Sequence, residues 1–233
     1  MNPPKQTYKN RILAALPKAE INRLAPHLSP VTLKQQASLL DGKATHGYFL
    51  EQGIASVVVA VGNGDTVEVG IIGIDGIVGF PILLGTEGSP GRTFMQIEGS
   101  GFRIKAETLK REFEHPGKLR QSLQRYMQAF FVQTAQTAAC NRLHGIEERL
   151  ARWLSACRDR MESDQLLLTH EFLGQMLGAP RTTVTLAAGL LHRAGLIDYK
   201  RGVVTVRNRK ALEGTACECY RIVRDEFQRL ALL

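Results

Sequence analysis

The 233-residue chain is poor in the features that mark catalysis, metal chemistry or membrane residence. Only four cysteines are present, Cys140, Cys157, Cys217 and Cys219, and none stands in a paired spacing that reads as a metal site. The Cys-x-Cys at 217–219 falls in a helical pattern, where side chains two apart point in different directions. With no secretion signal, the four are expected as reduced, buried or half-buried thiols of a cytosolic protein, not as an iron–sulfur or redox set. No long hydrophobic run occurs either. The longest apolar stretch, Gly70 to Gly85, is glycine-rich and broken by Asp75, so nothing is expected to span a membrane. Aromatics are scarce, and Trp153, the single tryptophan, is expected in a core rather than as a stacking platform. No nucleophile–base pair, metal set or phosphate loop emerges, which argues against an enzyme. No cofactor is identified.

Acidic residues are also in deficit: 22 against 30 basic ones, for a formal charge of +8. Location matters more than the total. Between Gly178 and Leu212 stand seven basic residues (Arg181, Arg193, Lys200, Arg201, Arg207, Arg209, Lys210) and one acid, Asp198, so that segment alone carries +6.

The same segment holds the strongest pattern in the chain. Counting twenty positions from His170, apolar residues fall at Leu173, Leu177, Ala179, Val184 and Ala187. Gly174 occupies the place where two steeply crossing helices leave no room for a side chain. Gly178 stands where the chain leaves the first helix, and a left-handed backbone costs glycine least. Pro180 suits the start of the next helix. That spacing predicts a helix-turn-helix whose second helix presents Arg181, Thr182, Thr183 and Thr185 to a major groove. Leu196–Tyr199 and Val203–Val206 flank Lys200-Arg201-Gly202, a tight hairpin wing with two cations at its tip. Thr169, His170, Lys200 and Arg201 are the expected phosphate contacts.

Upstream, residues 8–28 predict one or two short helices, with Ile12, Leu13, Leu16, Ile21, Leu24 and Leu28 as the apolar set. From Val31 to Ile104, short β-rich runs (Val31–Leu33, Tyr48–Leu50, Ala55–Val61, Thr66–Ile72, Thr93–Ile97, Gly101–Ile104) are separated by glycines, with Asn63-Gly64-Asp65 as a hairpin signal. This predicts a closed roll. A cupin-like metal enzyme would need a histidine and carboxylate cluster on those strands, and His46 is the only histidine there. A long helix follows from Lys118 to about Cys140. Leu123, Met127, Phe130, Thr134 and Thr137 step four, three, four, three along it, the seam of a coiled coil and the expected homodimer contact. Phe131, Val132 and Ala135 widen the stripe, so the helix is also expected to pack on its own roll. A helix from Ile146 to Met161 buries Ile146, Leu150, Trp153, Leu154 and Cys157. A last helix, about Ala211 to Leu230, turns Leu212, Tyr220, Val223, Phe227 and Leu230 inward.

In this order of parts, and in the runs CNRLHGIEERLARWL, LTHEFLGQMLGAPRTTVT and HRAGLIDYKRGVVTV, the chain resembles the Crp/Fnr family of bacterial transcription regulators. The resemblance implies an α+β protein in three parts. Residues 1–116 would form a double-stranded β-helix, the jelly-roll-like, cyclic-nucleotide-binding-like sensor. Residues 117–140 would be a dimerisation helix, and residues 141–233 a winged helix-turn-helix that binds double-stranded DNA. It implies a homodimer on a near-palindromic site, adds RNA polymerase as a partner to consider, and suggests a small effector. Cyclic-AMP-binding members carry a Gly-Glu pair and, about ten residues on, an Arg-Ser pair. Here the matching stretches are Gly79-Phe80-Pro81 and Arg92-Thr93. Gly79, Phe80, Arg92 and Thr93 are therefore the effector candidates, but Phe80 replaces the carboxylate and Pro81 removes an N–H donor, which argues against cyclic AMP. An apolar or aromatic ligand, or none, fits better. Iron–sulfur members carry an N-terminal cysteine cluster, absent before Cys140, and only His27 and His46 are left as haem-ligand candidates. The recognition helix also departs from the family's usual Ser-Arg-Glu-Thr-Val: Arg181 keeps its place, Thr182 replaces the next polar reader, and Leu186 stands where a further arginine is common. The alternative is a ligand-binding or protein-interaction module whose winged helix no longer reads DNA.

Overall fold

The computed structural model describes residues 7–60, 62, 66–86 and 88–232, with the backbone alone at His170. Two short helices open it, α1 (Arg11–Ala14) and α2 (Lys18–Leu24). The first forms because buried Asn10 caps it. The Asn10 side-chain oxygen accepts from the Leu13 N–H at 3.3 Å, while its amide donates to the Leu50 and Gly76 carbonyls at 3.1 and 2.9 Å.

The roll follows as β1 (Ser29–Leu33), β2 (Ser38–Lys43), β3 (His46–Ala60), β4 (Thr66–Ile72), β5 (Ile77–Val78) and β6 (Gly88–Lys105). The strands pair antiparallel in the order β1-β6-β3-β4, with β2 also on β6 and β5 also on β3. Several runs expected as separate strands are one strand: Tyr48–Leu50 and Ala55–Ala60 lie in β3, and Thr93–Ile97 and Gly101–Ile104 lie in β6. Glycine here makes bulges rather than breaks. Gly53 takes φ +89°, and the register slips between Gln52 and Ile54. The hairpin signal Asn63-Gly64-Asp65 lies outside the described residues, but the strands on either side of it pair, Ala60 opposite Thr66.

Each face of β3 and β4 is covered. Leu40, Ala55, Ile72 and Met95 face the interior of the roll, whereas Ile54, Val58, Ile71 and Ile97 meet helices from the C-terminal half. A helix α3 (Ala106–Glu114) leads to the long α4 (Lys118–Leu143), whose first N–H groups donate to Glu20, Lys118 and Leu119 each at 2.8 Å.

The periodicity of α4 has a different meaning from the one expected. Leu123, Phe130 and Thr137 are buried inside this chain, with Met127 and Thr134 half-buried beside them. Gln124, Gln128, Phe131, Ala135, Ala138 and Arg142 are exposed instead and step four, three, four, three, four. Phe131 is 69% exposed. A helix packed along one side carries two adjacent stripes, and the more apolar one is taken by the chain's own roll.

After the two-residue link His144-Gly145 come α5 (Ile146–Met161), β7 (Gln165–Leu167), α6 (His170–Leu177), α7 (Arg181–Arg193), β8 (Ile197–Lys200), β9 (Val203–Val206), α8 (Arg209–Thr215) and α9 (Glu218–Arg229). β7, β9 and β8 form a small antiparallel sheet. The last helix expected from the sequence is two helices, because the chain becomes extended at Ala216 (ψ 145°) and Cys217 (ψ 162°). That break also corrects the expectation that Cys217 and Cys219 diverge. Cys217 lies outside the helix, so both sulfurs turn toward Cys140.

Polar groups bridge the roll to the winged helix. Buried Glu68 on β4 accepts from the Trp153 indole N–H at 2.6 Å and pairs with the Ser56 hydroxyl of β3. Ser56 Oγ also lies 2.6 Å from Gln96 Oε1 of β6 and 3.5 Å from Met176 Sδ of α6. Nearby, Arg160 of α5 and Asp75 form a fully buried ion pair at 2.8 Å. Gly73 has no side chain because a Cβ would stand 2.6 Å from Arg160 Cβ.

Candidate nucleic-acid interface

The helix-turn-helix is built by short-range sterics. Thr169 caps α6, its hydroxyl oxygen accepting from the Phe172 N–H at 3.2 Å. Phe172, Leu173, Met176 and Leu177 are buried on one side of α6. A Cβ on Gly174 would lie 2.9 Å from the Ala179 carbonyl and 3.5 Å from Arg181 N, so glycine is what lets the start of α7 cross this closely. Gly178 ends α6 at φ +55°, ψ 43°, the left-handed cap that the spacing implied. Pro180 precedes Arg181, the first residue of α7, one place before the first turn.

Val184, Ala187, Ala188 and Leu191 hold α7 to the core, which turns the rest of the helix outward. Arg181, Thr182 and Thr185 are exposed near its N-terminus, and Thr183 is half-buried. The Thr185 hydroxyl donates to the Arg181 carbonyl at 2.9 Å. Its proton is thereby committed to the backbone. Leu186, 72% exposed, continues the same face and gives it an apolar element next to the threonines.

The wing is a two-residue hairpin. Arg201 at φ +50° and Gly202 at φ +79° are its central pair, and β8 and β9 align Lys200 opposite Val203. Leu168 N–H donates to the Gly202 carbonyl at 2.8 Å, which ties the wing to the residue before the α6 cap. Thr169, Lys200 and Arg201 are all exposed. The side chain of His170, the remaining phosphate candidate, lies outside the described residues.

The basic segment divides into two groups. Arg207 is neutralised by Asp198 at 2.5 Å, and His192 also faces that carboxylate at 3.3 Å. Arg209 pairs with Glu213 at 2.5 Å and with Asp159 at 3.4 Å. Among the described residues, Arg181, Arg193, Lys200, Arg201 and Lys210 are in no ion pair. Four of these five cations stand on α7 and at the tip of the wing, and Lys210 stands on α8. A surface that leaves these guanidinium and ammonium groups uncompensated suits a polyanion.

The four effector candidates do not form one such site. Arg92 is exposed and pairs with Asp41 at 3.2 Å, whereas its neighbour Thr93 is buried on the opposite face of β6. Gly79 adopts φ +99° before a 3₁₀ turn over Phe80–Ile82. The Phe80 ring packs 5.0 Å from that of Phe130 on α4. None of the four lines the cavity of about 20 Å³ between β4, α4, α5 and α9, which would admit a water and nothing larger, or the open cleft of about 420 Å³ beside β1.

Comparison with known proteins agrees with this architecture. Residues 148–215 match the family model of the Crp-like helix-turn-helix domain. Solved structures share the fold over most of the chain at low identity. The structure of FixK2 from Bradyrhizobium japonicum is 15% identical, with a TM-score of 0.69, covering 82% of this chain and 98% of that one. A putative Crp/Fnr-family transcriptional regulator from Eubacterium rectale is 16% identical, with a TM-score of 0.65, covering 86% and 94%. The c-di-GMP responsive global regulator CLP from Xanthomonas campestris is 15% identical, with a TM-score of 0.66, covering 82% and 100%. No curated protein sequence matches the chain. Among the described residues, no helix is long and apolar enough to cross a membrane.

Proposed function

From the premise that this chain carries a Crp-like helix-turn-helix domain on the fold of the Crp/Fnr regulators, we propose that it is a cytoplasmic, homodimeric transcription regulator that reads a near-palindromic duplex site. The observation that carries this reading is the exposed set Arg181, Thr182 and Thr185 on α7, flanked by Arg193, Lys200 and Arg201, which form no ion pair among the described residues. Arg181 suits a bidentate contact to guanine O6 and N7. The threonine methyls and Leu186 suit a thymine methyl. Thr169, Lys200 and Arg201, with His170 from the sequence, grip phosphates and set the register without choosing bases.

Two recognition helices read one site only if the protein is symmetric, with half-sites roughly 34 Å apart. The exposed stripe on α4 supplies the seam. Gln124, Gln128, Phe131, Ala135, Ala138 and Arg142 keep the coiled-coil spacing, and half-buried Met127 and Thr134 stand at its edge. The pairing of Arg92 with Asp41 and the burial of Thr93 on the other face of β6 argue against an anion held by these two side chains together.

Selection from random duplexes, with the mass of the bound species measured by sedimentation, tests this. An inverted repeat bound by two chains is expected. Recovery of no sequence above background would favour a module that no longer reads DNA.

A further inference from the structure

Away from the DNA-reading surface, four side chains from two distant segments converge. Cys140 and His144 lie one turn apart at the end of α4, and Cys217 and Cys219 stand at the start of α9. One ligand atom from each, three sulfurs and an imidazole nitrogen, lies within 4.8 Å of all the others. Cys140 Sγ is 3.4 Å from Cys217 Sγ, and Cys219 Sγ is 3.7 Å from His144 Nδ1. We infer that Cys140, His144, Cys217 and Cys219 form a tetrahedral binding site for one zinc-class divalent ion.

The Cys140–Cys217 and Cys219–His144 distances are close to those around a single ion. Bonds of about 2.3 Å to sulfur and 2.0–2.1 Å to nitrogen at tetrahedral angles place ligand atoms about 3.6–3.8 Å apart. A disulfide needs its sulfurs at about 2.05 Å, well inside the Cys140–Cys217 separation. An iron–sulfur cluster would hold its ligands farther apart than one ion does. Three thiolates with one imidazole suit zinc rather than the hard, oxygen-seeking cations.

The surroundings are those of a ligand set as well. His144 Nε2 faces the Glu218 carboxylate at 3.2 Å. That contact fixes the proton on Nε2 and leaves the Nδ1 lone pair directed at the sulfurs, the carboxylate–histidine arrangement that orients metal-bound imidazoles. Three thiolates, a neutral imidazole and a divalent ion leave one negative charge. Arg152, only 8% exposed and with no hydrogen bond on its Nε, lies within electrostatic reach of Cys140 and Cys219 and would balance it. Each thiol releases its proton as it ligates. Cys157, the fourth cysteine, is buried elsewhere against the roll and takes no part.

The site pins the first turn of α9 to the last turn of α4, beside the two residues through which the chain passes to α5. The test uses the full chain under a non-thiol reductant, stripped with a chelator and titrated with Co²⁺ and Zn²⁺. One Co²⁺ per chain is expected, with thiolate charge-transfer absorption and the intense visible bands of a tetrahedral centre, bleached by one equivalent of Zn²⁺. Cys219→Ser should lose at least one thiolate's share in three of the charge-transfer intensity and weaken Co²⁺ binding. Glu218→Gln should weaken Co²⁺ binding by about 10–100-fold while keeping the spectrum. Cys157→Ala should change neither. Because the wild-type spectrum and stoichiometry stand by themselves, the test survives a cluster variant that fails to fold. A reduced wild-type chain that binds no Co²⁺, an octahedral spectrum, iron with inorganic sulfide in the purified protein, or a Cys157→Ala variant that loses the spectrum would each overturn the assignment.

Discussion

Glu68 is an ionisable group that the docking of the winged helix buries completely. It lies between β3, β4, α5 and α6, and burial pushes its carboxyl from 4.5 up to about 7, although Ser56, Trp153, Arg152 and Arg160 all oppose the rise. The geometry agrees with a protonated acid. Ser56 has one proton and faces Glu68 and the Gln96 Oε1 oxygen at 2.6 Å. With Gln96 in that orientation, a neutral Glu68 donates to Ser56 and Ser56 donates onward. A group whose folded value is raised contributes stability that is fully present below its unfolded value, here 4.5, and is lost as pH climbs through about 7. The displacement corresponds to about 3 kcal/mol across that window. Cys157 on α5 also faces Glu68, but burial pushes its thiol well up, so it stays neutral through the window. Glu68→Gln removes the ionisation and keeps an acceptor for Trp153. Unfolding in urea should then show the wild type losing most of this stability relative to the variant between pH 5 and 8. Trp153 is the only tryptophan, so its fluorescence should titrate near pH 7 in the wild type and stay flat in Glu68→Gln. Parallel stability profiles and no fluorescence transition in either protein would refute the reasoning.

Three further outcomes follow from local geometry. Gly174→Ala should destabilise the winged helix by about 1–3 kcal/mol in urea unfolding, because its methyl meets the Ala179 carbonyl at 2.9 Å and backbone cannot step aside. Lys200→Ala should weaken binding to all duplexes alike and lower the slope of log affinity against log salt by about 1, whereas a loss confined to one base pair would contradict a phosphate role. Phe131→Glu, at a position 69% exposed in the single chain, should give a folded monomer by sedimentation, since it charges the proposed seam without touching the core.

The parts of the molecule legible in the sequence are those fixed by neighbours in the chain. Gly174, Gly178 and the apolar register of α6 and α7 are such cases: the crossing of two helices joined by three residues is decided locally, and the structure holds them as the spacing implied. The wing was equally readable, because its turn is two residues long. What depended on distant packing was not readable. Nothing local says which of two adjacent α4 stripes the roll takes, so the burial of Leu123, Phe130 and Thr137 inside the chain was not readable. Strands ran through Gly53 and Gly99 because bulges absorb them. The cysteine cluster joins residues 77 apart, and no spacing rule reaches that far. A Cys-x-Cys looked divergent only while both residues were assigned to one helix. Arg92 and Thr93 stand side by side in sequence, yet β6 turns them to opposite faces.

The most direct test of the central claim is a base-by-base affinity matrix on the selected duplex, measured for the wild type and for Arg181→Ala. Exposure of Arg181 at the first position of α7, with no ion pair among the described residues, leads us to expect a loss of about 1–3 kcal/mol at one guanine per half-site, with discrimination elsewhere unchanged. An unaltered matrix, or a wild-type protein that shows no base preference at all, would contradict the reading of α7 as the element that recognises sequence.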